Sequence, residues 1–485
     1  MNTDEDLCFA SGTELSALIR ARLLSPVELV ESLLARIETV DPSVNSFVTV
    51  CADEALAAAH AAAHDLANSS IEDLPPLHGL PVSVKDLTPT AGVLTTFGSR
   101  HFADNVPDSD GLIWARLKAA GAILLGKTTT PEFGMHSITE SPLTGITNNP
   151  WDLNRTPGGS SGGSAAALAA GLGPLSTGSD GGGSIRVPSS YCGTVGLKCS
   201  RGRIPIWSEG NPFETVDVVG PMTRTVADTA LMLNVVAGPH HYDPYSLLDT
   251  DTDYVRAIAD ASVRGLRIAY SPDLGNPPIE PAVLAGLAQA AATFEQMGAF
   301  VEPVDIHLPD PMEYFVAWWA PFIKLTLEDN VLGPSGGNAI ESHPLFVEFT
   351  RHADRMTAVD HLRVQLHQRE QIHRALADVF LAYDVLVTAT TPSVAFHHPG
   401  SIGGPTTVAG KTVTQPSLDN QRNTEAVSHA GYPAISIPAG FSLDGLPIGM
   451  QICGPHGADA IVLHVAAAFE AAQPWRGRRP PLRAT

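Results

Sequence analysis

The chain is short of charge, of cysteine and of long apolar runs, and each shortage excludes something. Only 16% of its 485 residues are Asp, Glu, Lys or Arg, too few for a coiled coil or a charge-extended disordered chain. Basic residues are the scarcer sign, 29 against 51 acidic, leaving a net charge of −22. A free nucleic-acid binder needs a basic face, so no nucleic-acid partner is expected. The five cysteines (Cys8, Cys51, Cys192, Cys199, Cys453) are odd in number and have no C-x-x-C spacing. Neither a disulfide framework nor a zinc site follows. No apolar stretch reaches the roughly 18 residues of a membrane span without small or polar interruptions. The acidic start MNTDEDLCFASGTE also lacks the apolar segment of a signal peptide. A reducing, cytoplasmic setting without membrane contact is the expectation.

Histidine is present, with 18 copies and the pairs His240-His241 and His397-His398. Adjacent histidines in a strand point to opposite faces, and no H-E-x-x-H helix occurs. Solvated loop histidines are the reading, and no metal or cofactor is expected.

What the chain has in quantity is small residues, concentrated in 156–203. Two glycine-serine turns, 158–164 (GGSSGGS) and 181–184 (GGGS), flank the alanine-rich run 165–172. Glycines crowded around serines allow φ values that a Cβ forbids and turn backbone N–H groups outward. The alanine run has high helix propensity, so the first turn is expected to open a helix. A helix N-terminus beside small residues offers N–H donors to developing negative charge. Serines are the nucleophiles on offer. A flexible linker is disfavoured by the tightly apolar flanks. The pattern G-x-S-x-G at 158–162 suggests a nucleophile elbow, but that needs a preceding buried strand, and 152–157 (DLNRTP) is polar and proline-ended.

Upstream, 80–84 reads as a short buried strand closing on Lys85. A lysine there is either paired to an acid, Asp86 being the neighbour, or catalytic; the residues alone leave both open. Residues 121–128 (GAILLGKT) match the P-loop pattern G-x-x-x-x-G-K-[ST] letter for letter. Their middle positions read as a buried strand where a phosphate cradle needs a loop, so no nucleotide site is expected.

The stretches GLPVSVKD (79–86), GGSSGGS (158–164), SDGGGSIRVP (179–188) and GTVGLKCSRGR (193–203) together resemble the amidase signature family. Weaker similarity runs from residue 25 to the C-terminus. Departures are small: Ser179 stands where the family usually has Thr, and Gly181 where it often has a larger residue. The resemblance implies a single α/β/α domain over 1–485, a twisted mixed sheet flanked by helices. Within it, 12–70 forms a helical part, 79–240 the signature core and 305–425 a variable substrate-pocket region. Length alone would suggest two or three domains; the alternation of apolar runs with helical segments agrees with an α/β fold. The resemblance further implies Ser184 as nucleophile, Ser160 as bridging serine after a cis peptide, and Lys85 as base. It places an oxyanion site at Gly181, Gly182, Gly183 and Ser184, and backbone at Gly134 and Met135 against the substrate. Ser161 is read as structural.

The function so implied is hydrolysis of amides or carbamates through an acyl- or carbamoyl-enzyme. Aryl acylamidases, urethanases and nylon-oligomer hydrolases fall within the family's range. The alternative is the glutaminase-type subunit of an amidotransferase, working with partner chains on charged tRNA. In 312–322, Met312, Phe315, Trp319 and Phe322 recur at helical spacing with Trp318 beside them. The stripe is either core packing or an aromatic wall of the pocket, with Trp318 and Trp319 as substrate contacts. It favours apolar or aromatic small-molecule substrates; a homodimer is an admissible assembly.

Overall fold

Apolar runs of four to eight residues become the strands of one sheet, and the alanine- and leucine-rich segments between them become its flanking helices. The computed structural model describes residues 4–207, 210–248, 251–276, 278–309, 311–329, 344–398, 407–413 and 416–482. The sheet has eleven strands: β1 Phe47–Val50, β2 Pro81–Lys85, β3 Ile123–Thr128, β4 Leu175–Asp180, β5 Val195–Lys198, β6 Val218–Thr223, β7 Arg267–Tyr270, β8 Phe300–Pro303, β9 Val385–Ala389, β10 Ala434–Phe441 and β11 Pro447–Cys453. Their spatial order is β1-β3-β2-β4-β6-β5-β10-β11-β9-β7-β8. The pairs β3–β2, β2–β4, β9–β7 and β7–β8 are parallel; the others are antiparallel. The central strands β2, β5, β6, β9 and β11 are buried along their whole length, as strands covered on both faces must be. This is the mixed α/β sheet fold that the sequence suggests.

The helix Pro26–Val44 starts as read, with Ser25 and Glu28 closing a capping box and Pro26 in its first turn. Helices Gly12–Arg20 and Ala52–Asn68 share the 12–70 segment with β1. The all-helical reading of that segment does not anticipate β1: its four residues FVTV are too few to interrupt a helical pattern, although they are β-formers. The second half carries helices Pro311–Leu327, Pro344–Ala353, Arg369–Phe380 and Arg422–Ala430. Among the described residues no helix is long and apolar enough to cross a membrane.

The P-loop lookalike is β3, a strand. Its lysine, Lys127, is fully buried and donates to the Thr88 carbonyl (2.6 Å), Thr95 Oγ1 (2.8 Å) and Thr90 Oγ1 (3.1 Å). It also faces Asp86 at 3.7 Å. The lysine therefore clamps the turn after β2.

Candidate active site

Strands β2 and β4 run parallel, Ser83 beside Ser176, and β4 continues two residues past the end of β2. Lys85 is the last residue of β2; Ser179 and Asp180 close β4. Into the space above these ends the chain brings 156–161, which leads into the helix Gly162–Ala169. No strand precedes Ser160, so the geometry of an elbow is not formed. The Gly159–Ser160 peptide is cis. Lys85 Nζ donates to Ser160 Oγ at 2.7 Å and to Ser179 Oγ at 2.9 Å. Ser161 joins the two glycine-serine loops: its N–H donates to the Ser184 carbonyl at 3.1 Å and its hydroxyl to the Ser179 carbonyl at 3.3 Å.

The loop 181–184 is held from both ends. Asp180 and Arg186 form a fully buried bidentate pair, Nε to Oδ2 at 2.9 Å and Nη2 to Oδ1 at 2.7 Å. Arg186 extends to the Thr424 carbonyl (3.0 Å), Ser428 Oγ (2.6 Å) and Gln451 Oε1. Three of the four loop carbonyls are occupied: Gly182 accepts from Thr424 Oγ1 at 2.6 Å, Gly183 from the Val187 N–H, and Ser184 from the Ser161 N–H. The N–H groups of Gly181, Gly182, Gly183 and Ser184, by contrast, donate to nothing among the described residues. Such a run of unpaired donors is suited to a developing oxyanion. The Ser184 hydroxyl likewise makes no hydrogen bond with another described residue.

Burial lowers the Lys85 amine far below its ordinary 10.5, against the opposing pull of Asp217 and Asp180. Desolvation dominates because its contacts are two hydroxyls, with no carboxylate within ion-pair reach. Asp217 is pushed the other way, upward, by burial and by the neighbouring Glu214. Asp86 is not the partner of Lys85; it accepts from the Thr96 N–H at 3.0 Å and faces Lys127.

Above these groups lies a cavity. Ser160, Ser179, Gly181, Gly182 and Ser184 form its floor, and Gly134 and Met135 line its side. Its apolar wall is Leu87, Phe133, Phe315, Trp319, Ile323, Phe349 and Leu418. Trp319 reaches the floor because Gly181 has no side chain; a Cβ there would sit 2.6 Å from the indole Cη2. Gly182 is bare for a similar reason, a Cβ meeting Glu425 Oε2 at 2.2 Å. Glu425, fully buried, accepts from Trp319 Nε1 at 3.0 Å and contacts His429 Nε2 at 2.7 Å, fixing the indole.

Of the residues singled out from the sequence, the structure thus brings together Lys85, Ser160, Ser184, Gly181, Gly182, Gly134, Met135 and Trp319. Gly183 does not line the cavity; Thr424 packs against its Cα. Trp318 is not brought to the cavity. It is 2% exposed, stacks on His361 with ring centroids 5.3 Å apart and carries the Arg369 guanidinium 4.7 Å from its ring. The helix face that Trp318 occupies points into the core, one residue's rotation (about 100°) from that of Trp319. The aromatic stripe is therefore both core and wall, Phe315 and Trp319 lining the cavity while Trp318 packs beneath. The Met312 side chain lies outside the described residues. Sequence reasoning missed Asp180, Arg186, Asp217 and Glu425, and also Gln421, which lines the cavity. The Asp180–Arg186 spacing of six inside the glycine loop is the one signal that could have been read. Among the described residues no group of three or more His, Cys, Asp or Glu is placed to hold a metal ion.

Known proteins place this geometry. The amidase family's sequence profile matches residues 28–463. An acylamidase of Rhodococcus erythropolis is 40% identical over 479 residues, covering 99% of this chain and 98% of that protein. The A-type subunit of the glutamyl-tRNA(Gln) amidotransferase of Moorella thermoacetica is 36% identical over 499 residues, covering 98% and 99%. The crystal structure of a bacterial aryl acylamidase of the amidase signature family superposes with a TM-score of 0.90, 31% identity and 97% coverage of both chains. A lysine, a cis-linked serine and a glycine-rich serine loop at the ends of two parallel strands, in a chain matched over its length, make this protein a member of the amidase signature family and an amidohydrolase.

Proposed function

We propose that the protein cleaves the C–N bond of small apolar or aromatic amides or carbamates, with Ser184 as nucleophile, Ser160 as proton bridge and Lys85 as base. The observation that carries this reading is the buried Lys85 amine on Ser160 Oγ at 2.7 Å, beside a serine loop whose N–H groups are unpaired. Serine is a weak nucleophile at neutral pH and needs a base. A neutral Lys85 amine takes the proton of Ser160 as Ser160 takes that of Ser184, and Ser184 Oγ attacks the carbonyl carbon. The resulting oxyanion is met by the 181–184 N–H groups. As the C–N bond breaks, the proton returns through Ser160 to the departing nitrogen. Water, deprotonated by the same relay, then attacks the acyl- or carbamoyl-enzyme and releases Ser184.

The apolar wall supports apolar substrates. Similarity to amidotransferase subunits supports a second reading, a glutaminase acting with partner chains on charged tRNA. Release of aniline from an anilide by the purified chain alone favours the first reading; turnover only with partner chains and tRNA favours the second. Ser184→Ala is expected to lose roughly 10⁴-fold or more in kcat with the fold intact, as triad members do. A sulfonyl or carbamoyl inhibitor should leave its adduct on the Ser184 peptide. More than about one per cent residual activity, or an adduct on Ser160, rejects Ser184 as nucleophile.

A further inference from the structure

Asp217, at the mouth of β6, lines the same cavity and has no place in the relay. Among the described residues lining that cavity it is the one Asp, Glu, Lys or Arg. Its carboxylate takes no hydrogen bond and no ion pair from any described residue; its own backbone N–H is tied to Glu214 Oε2 at 2.7 Å. Of the cations that act on it, Lys85 is held by Ser160 and Ser179, and Arg201 is committed to Asp243 at 3.1 Å and to the Pro212 carbonyl at 2.8 Å. Asp217 therefore presents bare oxygens to a largely apolar space, a costly arrangement unless something entering that space satisfies them. It also adjoins Trp319. From the place a Gly181 Cβ would occupy, Asp217 Oδ1 is 3.5 Å away and the indole Cη2 2.6 Å. A carboxylate and an indole side by side are the two groups that hold an ammonium, one by charge and the other through its π face.

We propose that Asp217 is a specificity-determining residue that receives a substrate ammonium carried a few bonds from the scissile carbonyl, with Trp319 as the adjoining face. The substrate class is then an amide or carbamate with an apolar body and a cationic amino head; an equivalent carboxylate is repelled. The inference rests on the catalytic reading given for Ser184, and it adds the head group that the apolar wall alone does not specify.

The test uses matched substrates that differ only at one terminus, –CH₂NH₃⁺, –CH₂CH₃ or –CO₂⁻, placed on the acyl side in one series of anilides and on the amine side in a second. In at least one series the wild-type enzyme is expected to favour the ammonium over the neutral substrate by about tenfold or more in kcat/KM, and to disfavour the carboxylate. Asp217→Asn should bring the ammonium-to-neutral ratio close to one while turnover of the neutral substrate changes little. Asp217→Ser, less bulky and equally uncharged, should do the same. No ammonium preference in the wild-type enzyme overturns the proposal without any variant. An equal fall for all substrates also overturns it. So does an acid limb of kcat/KM displaced to lower pH for every substrate while the ammonium preference survives, which would mean that Asp217 acts only on Lys85 within the set Lys85, Asp180, Glu214 and Arg201. Failure of the underlying reading looks different: there, turnover survives in Ser184→Ala.

Discussion

Two buried lysines lie at the ends of neighbouring parallel strands, Lys85 on β2 and Lys127 on β3, where Val84 pairs with Lys127 and Lys85 with Thr128. Both are essentially inaccessible, and burial lowers both amines, Lys127 to about 8. Their surroundings separate them. Lys127 has a carboxylate, Asp86, and a carbonyl, Thr88, and both favour the proton staying on nitrogen. Lys85 touches two hydroxyls, which can either give or receive a proton. Burial makes a lysine easier to deprotonate; the chemistry of its partners decides whether the result is a base or a clamp. The pairing is set by the strand. β2 ends at Lys85, and Asp86 opens the turn that follows, where it meets Lys127 and leaves Lys85 without a carboxylate partner.

Exchanging what differs between the two lysines should break the comparison. Lys85→Arg is expected to be nearly as inactive as Lys85→Ala, roughly 10⁴-fold down in kcat with little change in Tm, because a guanidinium stays protonated. An active Lys85→Arg enzyme would make this residue only a cation. Lys127→Met should do the reverse. It leaves Asp86 buried without its cation, which costs about 3–5 kcal/mol of stability, read by denaturant unfolding, and any activity lost should follow the unfolded fraction.

The pH response sharpens the same contrast. A lysine whose folded pKa lies below its unfolded value binds fewer protons in the native state, so stability rises with pH through the window between the two. For Lys85 that window runs upward from its lowered pKa to about 10.4. Lys85→Met should therefore be more stable than wild type near pH 7, with an advantage that shrinks as pH rises toward 10. The wild-type kcat/KM should climb over the lower part of the same window as Lys85 becomes neutral. A flat profile there would remove Lys85 as the titrating base.

A second contrast, within one helix, gives intermediate effects. Trp318→Ala empties a core position and should cost about 3–5 kcal/mol, all substrates suffering together. Trp319→Ala should lower kcat/KM for bulky aromatic amides far more than for acetamide, with the smaller change in Tm. The smallest effect is expected at Ser179. Ser179→Thr keeps the hydroxyl on Lys85 and should stay close to wild type, whereas Ser179→Ala removes one of two contacts to the amine and should cost only a few-fold in kcat.

Much of this is legible in the sequence. Strand β9 falls at 385–389 as read, and the capping box at Ser25 starts its helix. The lysine and the two serine loops are recognisable because local sequence builds them: glycine spacing, a proline stop, a strand closing on a rare residue. What is not legible is whatever depends on residues far apart in the chain. Asp217 and Glu425 carry no local motif, and their meaning comes from Gly181 and Gly182 having no side chains to keep Trp319 and Glu425 away. Trp318 and Trp319 read alike in the sequence because a stripe of apolar residues does not say which edge faces the cavity. The His240-His241 pair lies in a loop, as expected of solvated histidines, but the two rings come to 4.5 Å and sit beside Trp207 and Tyr242. Side chains alternate across a strand, and a loop imposes no such rule.

The Arg186 side chain reaches partners at Asp180, Thr424, Ser428 and Gln451. During synthesis, then, the serine loop emerges long before the groups that lock it. Arg186 and Gln451 lie 265 residues apart, and until the segment 424–451 leaves the ribosome the guanidinium has only Asp180 to hold. The loop 181–184 is thus braced only late in synthesis, and a chain cut short before the helix Arg422–Ala430 carries Ser184 and Lys85 without most of the groups that brace that loop.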